Sequence, residues 1–130
     1  MPLRLLLIRH GLSSFNRENR ILGRTDLSTL TEEGLLQANK AGKSLEKLSI
    51  QAIYTSPLQR ALETAKAIAK SRVKKIDPMI DNDLIEVDLD PWTGLTIDEV
   101  KEKNDLSADK IVIGGFSQGC MISLQTGIKR

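Results

Sequence analysis

The sequence predicts an α/β protein, a three-layer α/β/α sandwich around a mostly parallel sheet. Three observations carry this expectation. Short apolar or β-branched runs alternate with stretches of helical period along the chain, the signature of βα units. Serine, threonine, proline and glycine stand at the ends of those stretches, where helices start and stop. No internal repeat or low-complexity linker interrupts the 130 residues, a length that suits one domain with one core.

The elements follow in order. Leu5-Leu6-Leu7-Ile8 is a short apolar run ended by Arg9-His10-Gly11, and it reads as a buried parallel strand that runs into a loop. Residues 12–28 form a polar loop containing Asn16, Arg17, Gly23 and Arg24. Thr31-Glu32-Glu33 opens a helix whose apolar stripe is Leu35, Ala38, Ala41, Leu45 and Leu48. Residues 50–55 are a second strand. Ser56 is then placed as an N-cap and Pro57 at the first helical position of a helix that buries Leu58, Ala61, Leu62, Ala65 and Ile68. A third strand is expected at 73–76, followed by a long acidic loop over 77–94. Thr96-Ile97-Asp98-Glu99 has the form of a capping box and opens a short helix to Lys103. The chain closes with a strand at 110–115 and a helix at 118–126 that stops at Gly127.

Composition removes several function classes. Apolar residues at 40% and charged residues at 28% are ordinary for a soluble globular protein. Lys+Arg 19 against Asp+Glu 17 is too balanced to predict a nucleic-acid partner, and no basic run with interleaved aromatics makes a local case. The lone Cys120 rules out an intramolecular disulfide framework and a multi-cysteine metal cluster. The N-terminal apolar run is too short for a signal peptide, and no stretch reaches membrane-spanning length. The expected setting is therefore the cytoplasm, with no membrane partner; oligomeric state is not legible.

His10 is the only histidine of the chain. At the carboxyl end of a strand in an open α/β sheet, where ligands bind, an imidazole beside the permanently charged Arg9 is suited to act on a phosphate. A packed surface histidine beside an incidental arginine fits the tripeptide equally well. Arg60, in Ser56-Pro57-Leu58-Gln59-Arg60-Ala61, lies in the first turns of the helix after the second strand, where free amides and the helix dipole make an anion site. Alone, it reads more readily as a solvated arginine on an exposed face. Asn16, Arg17 and Arg24 would complete a cradle. Glu86, between the aliphatic pairs of Leu84-Ile85-Glu86-Val87-Asp88, is in a setting that can raise a carboxyl pKa and make it a proton donor; a glutamate of an edge strand facing water is the alternative.

At these residues the chain resembles the histidine phosphatase superfamily, the phosphoglycerate mutase-like group. The matching blocks are Leu7-Ile8-Arg9-His10-Gly11 with Phe15-Asn16, then Gly23-Arg24-Thr25-Asp26 with Leu30-Thr31-Glu32-Glu33-Gly34 and Gln37-Ala38. Tyr54-Thr55-Ser56-Pro57-Leu58-Gln59-Arg60-Ala61 with Thr64-Ala65 follows, and then Leu84-Ile85-Glu86-Val87-Asp88 with Pro91-Trp92-Thr93-Gly94. The resemblance implies phosphomonoester hydrolysis or phosphoryl transfer on a small phosphorylated metabolite, with His10 as the nucleophile that becomes phosphohistidine. It implies that Arg9 and Arg60 hold the equatorial phosphoryl oxygens, that Asn16 and the Gly23 turn touch phosphate or substrate, and that Glu86 protonates the leaving oxygen and then activates water. No metal and no cofactor are implied.

Three departures qualify this picture. Leu12 stands where many members have glutamate, no second histidine exists to help bind the phosphate, and the family's domain runs beyond this length. The expectation is a domain truncated relative to the family, occupying 1–104, with activity impaired. A non-catalytic phosphate-binding remnant is the alternative.

Residues 105–130 carry a second resemblance. Gly115-Phe116-Ser117-Gln118-Gly119, between a predicted strand and helix, is similar to the nucleophile elbow of α/β-hydrolases of the carboxylesterase and acyl-protein thioesterase group. No histidine or carboxylate follows Ser117, so the resemblance implies at most a vestigial nucleophile there, and a serine carboxylesterase fragment is the least favoured reading. The two resemblances meet near Asn104-Asp105, and the second segment could pack into the same sheet.

Overall fold

The structure, a computed structural model, describes residues 3–104. The chain divides into two units at Ile97/Asp98, and everything that bears on the candidate site lies in the first. That unit contains α1 (Ser14–Arg17), α2 (Glu32–Leu45), β1 (Tyr54–Thr55), α3 (Gln59–Lys70), β2 (Met79–Ile80) and a 3-10 turn over Asn82–Leu84. α4 (Ile97–Lys103) begins at its end and carries an exposed Asp98–Lys101 ion pair of 3.1 Å one turn apart. No helix of the described residues is long and apolar enough to cross a membrane.

The two strands are parallel, with Tyr54 opposite Met79 and Thr55 opposite Ile80. Parallel neighbours require a crossover, and α3 supplies it, so β1–α3–β2 is one βαβ unit of the expected α/β class. The strand predicted over 50–55 contracts to its last two residues. The strand expected at 73–76 is displaced to Met79–Ile80, and Val73 is 89% exposed. A β-branched residue marks strand propensity, but the ladder decides which residues form it. Here the Met79 N–H donates to the Ile53 carbonyl and the Asp81 N–H to the Thr55 carbonyl, each at 2.9 Å.

The predicted first strand differs more. Residues 5–8 have no ladder partner among the described residues and are exposed, Leu7 to 87%. An apolar run becomes a strand only where a neighbouring strand accepts its hydrogen bonds.

α2 begins as expected. Thr31 is its N-cap, its hydroxyl accepting from the Gly34 N–H at 3.0 Å, with Glu32 and Glu33 in the first turn facing the positive end of the dipole. Its buried face, however, is Gly34, Ala38 and Gly42, with Gly34 against the Leu12 backbone and Gly42 against Ile68 of α3 and the following Ser71; Ala41 and Leu45 are half-buried, while Leu35 and Leu48 are exposed. Small residues let the two helices approach closely, which leaves the leucines at the margin. α3 buries Arg60, Thr64, Ala65, Ala67 and Ile68.

The start of α3 also departs from the expected Ser56-Pro57 signal. Leu58 is the N-cap and has no side-chain cap bond, while the Ser56 hydroxyl accepts from the Leu58 N–H. The first helical amide is capped from a distance: the Asp26 carboxylate accepts the Gln59 N–H at 2.8 Å. Within the predicted loop 12–28, Ser13 and Asn16 form a capping box that starts the single turn of α1.

Candidate active site

The corner at Gly11 packs backbone on backbone against the first turn of α2. A Cβ on Gly11 would lie 2.2 Å from the Gly34 carbonyl oxygen, and one on Gly34 would lie 2.1 Å from that of Leu12, so both positions exclude any side chain. Hydrogen bonds then fix the corner. The Gly11 N–H donates to the Thr64 hydroxyl at 3.1 Å, and that hydroxyl donates to the Arg60 carbonyl at 2.7 Å. The Leu12 N–H donates to Gln37 Oε1 at 3.0 Å, and the Leu12 carbonyl accepts from both the N–H and the hydroxyl of Thr31.

His10 is half-buried at this corner, with Nδ1 2.7 Å from the Gly11 carbonyl oxygen. A carbonyl only accepts, so the proton is on Nδ1 and Nε2 keeps its lone pair. Burial pushes the His10 pKa below its ordinary 6.5, the bond to the Gly11 carbonyl opposes that shift, and the charges of Arg60 and Arg9 reinforce it; Glu86 acts weakly in the other direction. The imidazole is therefore neutral near pH 7. A cleft of about 210 Å³ borders it, lined by Arg9, Gln37, Ala41 and Thr64 among others.

Arg60 is 2% exposed, which removes the reading of a solvated arginine on an outer helix face. Its two terminal nitrogens donate to the carbonyls of Thr25 and Gly23, each at 2.8 Å. Burial pulls its pKa down, while Glu86 and Asp26 pull it back, and a guanidinium stays charged at any working pH. The Gly23 turn thereby has a definite role. It adopts φ +51°, open to glycine, and presents its carbonyl to Arg60. The helix N-terminus expected as an open anion site has its first amide taken by Asp26.

The other predicted residues fall in different places. Arg9 is exposed, and its charge acts on His10. The Asn16 amide oxygen accepts the Ser13 hydroxyl at 2.8 Å inside the α1 cap. Arg17 pairs with Glu33 at 3.8 Å on the surface. Arg24 donates its Nε–H to the Glu86 carbonyl at 2.7 Å and so ties the two loops together. Glu86 is half-buried, and one carboxylate oxygen accepts the Val87 N–H at 2.9 Å. Its charge is felt by both His10 and Arg60. The aliphatic setting expected around it is only partial, because Val87 is exposed. Ser117 lies outside the described residues.

Sequence reasoning missed Gln37, Thr64, Thr25 and Asp26 as parts of this site. All four stand in the matching blocks, and helical spacing aligns Gln37 with Gly34 and Thr64 with Arg60. The backbone atoms that they engage leave no trace in a sequence.

On an α/β scaffold, the chain thus places an imidazole within electrostatic reach of two guanidinium groups and a carboxylate. The chain belongs to the histidine phosphatase superfamily (branch 1), whose family model matches residues 5–113. It is 42% identical over 100 residues to a probable 2-carboxy-D-arabinitol-1-phosphatase of Arabidopsis thaliana, a match covering 77% of this chain and 20% of that one. It is 40% identical over 109 residues to a 2,3-bisphosphoglycerate-dependent phosphoglycerate mutase of Pelagibacter ubique, covering 82% and 44%. Among solved structures, it resembles YhfR of Bacillus stearothermophilus at TM-score 0.70 and 31% identity, covering 93% of this chain and 65% of that one. The chain thus spans less than half the length of these two curated relatives.

Proposed function

We propose that this chain carries the phosphoryl-accepting half-site of a phosphatase or mutase acting on a small phosphorylated metabolite. His10 Nε2 attacks phosphorus, forming an N–P bond as the ester P–O bond breaks. Glu86, entering as the acid, gives its proton to the leaving oxygen. In hydrolysis the Glu86 carboxylate then takes a proton from water as the water oxygen attacks phosphorus, which releases phosphate and restores neutral His10. Arg9 and Arg60 neutralise the charge on the equatorial oxygens, and such positioning and electrostatics suit phosphoryl transfer. The observation that carries this reading is the Nδ1–Gly11 carbonyl bond, because it leaves the lone pair on the nitrogen that must attack.

With a single histidine, one charge-stabilising donor expected at the transferring group is missing. Loss of one such donor costs about 10²–10³ in rate, so the reaction is expected to be slow. Incubation with phosphoramidate tests the reading: an acid-labile, base-stable label should form on the chain and be absent in His10→Ala. No label under prolonged incubation, with inorganic phosphate still bound, would leave a non-catalytic phosphate-binding remnant.

A further inference from the structure

We infer that Gln37 is a positioning residue for His10: by accepting the Leu12 N–H, it fixes the peptide whose carbonyl keeps the imidazole proton on Nδ1. The peptide group between Gly11 and Leu12 has two polar ends. Its carbonyl lies 2.7 Å from His10 Nδ1, and its N–H lies 3.0 Å from Gln37 Oε1. The unit is planar, so holding one end orients the other. The residue before it is glycine, whose soft backbone would otherwise let this peptide turn. The two bonds also run in the same direction through one peptide, and each polarises the other.

Gln37 is exposed, and its orientation follows from the Leu12 bond itself; its Nε2 makes only a long contact of 3.5 Å with Glu33 Oε1, one helical turn earlier. Three consecutive peptides at this corner are held from outside: Thr64 takes the Gly11 N–H, Gln37 the Leu12 N–H, and Thr31 donates to the Leu12 carbonyl. Only the middle one touches the imidazole. A glutamine that merely decorated the surface of α2 would have no influence on which ring nitrogen bears the proton. Through this peptide Gln37 selects the tautomer, and on the reading of His10 as nucleophile it thereby selects the nitrogen that attacks.

Because the chain has one histidine, the ring ¹⁵N signals need no assignment. In the full chain above the His10 titration they should report Nδ1 protonated and Nε2 bare. Gln37→Met keeps the length of the side chain but removes the acceptor, and it should lower the Nδ1–H to Nε2–H ratio about three- to tenfold, the change that loss of one ordinary hydrogen bond produces. Gln37→Glu retains an acceptor oxygen and should restore the ratio. An unchanged ratio in folded Gln37→Met, or a Gln37→Glu variant that behaves like Met, would overturn the inference. Should Gln37→Met not fold, amide exchange of Leu12 in the unaltered chain decides: protection is expected, and exchange at the rate of an open loop overturns it. Phosphoramidate labelling of the unaltered chain separates the two readings. A Gln37-dependent tautomer without label removes the nucleophile and keeps the positioning role; label with a Gln37-independent tautomer does the reverse.

Discussion

The corner that holds His10 and the loop that holds Glu86 are built in opposite ways. At the corner, successive backbone groups are tied to Thr31, Gln37 and Thr64 on two packed helices, and two glycines bring the chains into backbone contact. Glu86 itself lies in no helix or strand and follows the short 3-10 turn over Asn82–Leu84. The carboxylate bonds to its own neighbour's amide, and Arg24 holds the backbone from an exposed position. The proposed roles suit this difference: a nucleophile must be presented in one orientation and one tautomer, whereas a proton donor has only to reach a leaving oxygen. Arg60 lies between the two regions: it is buried while holding the Gly23–Thr25 turn, which Arg24 ties to the Glu86 backbone, and its charge acts on His10 while that of Glu86 acts on it.

Removing Arg60 should have the largest effect. Arg60→Ala deprives the carbonyls of Gly23 and Thr25 of charged donors, and bonds of that kind are worth about 1.5–3 kcal/mol each. Stability should therefore fall by about 3 kcal/mol or more, read as a lower urea midpoint, together with weaker phosphate binding. A variant that loses phosphate affinity but keeps its midpoint would show that these two bonds do not hold the loop.

Glu86→Gln should break the comparison on the other side. Turnover of alkyl phosphates should drop about a hundredfold, within the usual range for a general acid, while aryl phosphates with good leaving groups lose far less and the urea midpoint stays unchanged. Equal losses for both substrates would remove Glu86 from proton transfer. Gly34→Ala ranks third. Its Cβ would sit 2.1 Å from the Leu12 carbonyl oxygen, and overpacking of a tight contact costs about 1–3 kcal/mol. Wild-type stability in this variant would mean that the corner yields easily and is not fixed by α2.

The division between the two regions also explains what the sequence could tell. α2 and α3 were legible because a threonine cap, acidic first-turn residues and helical spacing are local signals, and His10, Arg60 and Glu86 were legible because the matching blocks place them. α1 was hidden because its capping box uses Asn16, not glutamate or glutamine, at the third position. The start of α3 was misplaced because its cap comes from Asp26, thirty-three residues away in the chain. The exposure of residues 5–8 was illegible for a related reason: apolar character predicts that a segment can be buried, and only a pairing partner determines that it is. That the Gly23 carbonyl faces Arg60 was illegible as well, because a sequence shows a turn but not where its carbonyl points.

The smallest expected effect is the acid limb set by His10. Its pKa in the folded chain lies below 6.5, first because of burial, with Arg60 and Arg9 adding to the shift and Glu86 and the Gly11 carbonyl only partly opposing it. In the unfolded chain the ring returns to about 6.5. Below that pH the unfolded state binds more protons than the folded one, so stability must fall as pH drops from about 6.5 toward the folded-state pKa, then level off. Above 6.5 this group contributes no slope. Urea midpoints of the unaltered chain and of His10→Gln, compared across this window, isolate the contribution, since only the former should carry it. The phosphoramidate labelling rate should hold steady down to pH 6.5 and decline below it, because the neutral ring is the reactive form. A labelling midpoint at or above 6.5 would mean that His10 is hydrated like a free imidazole, and the contrast between a held nucleophile and a loosely tethered acid would not stand.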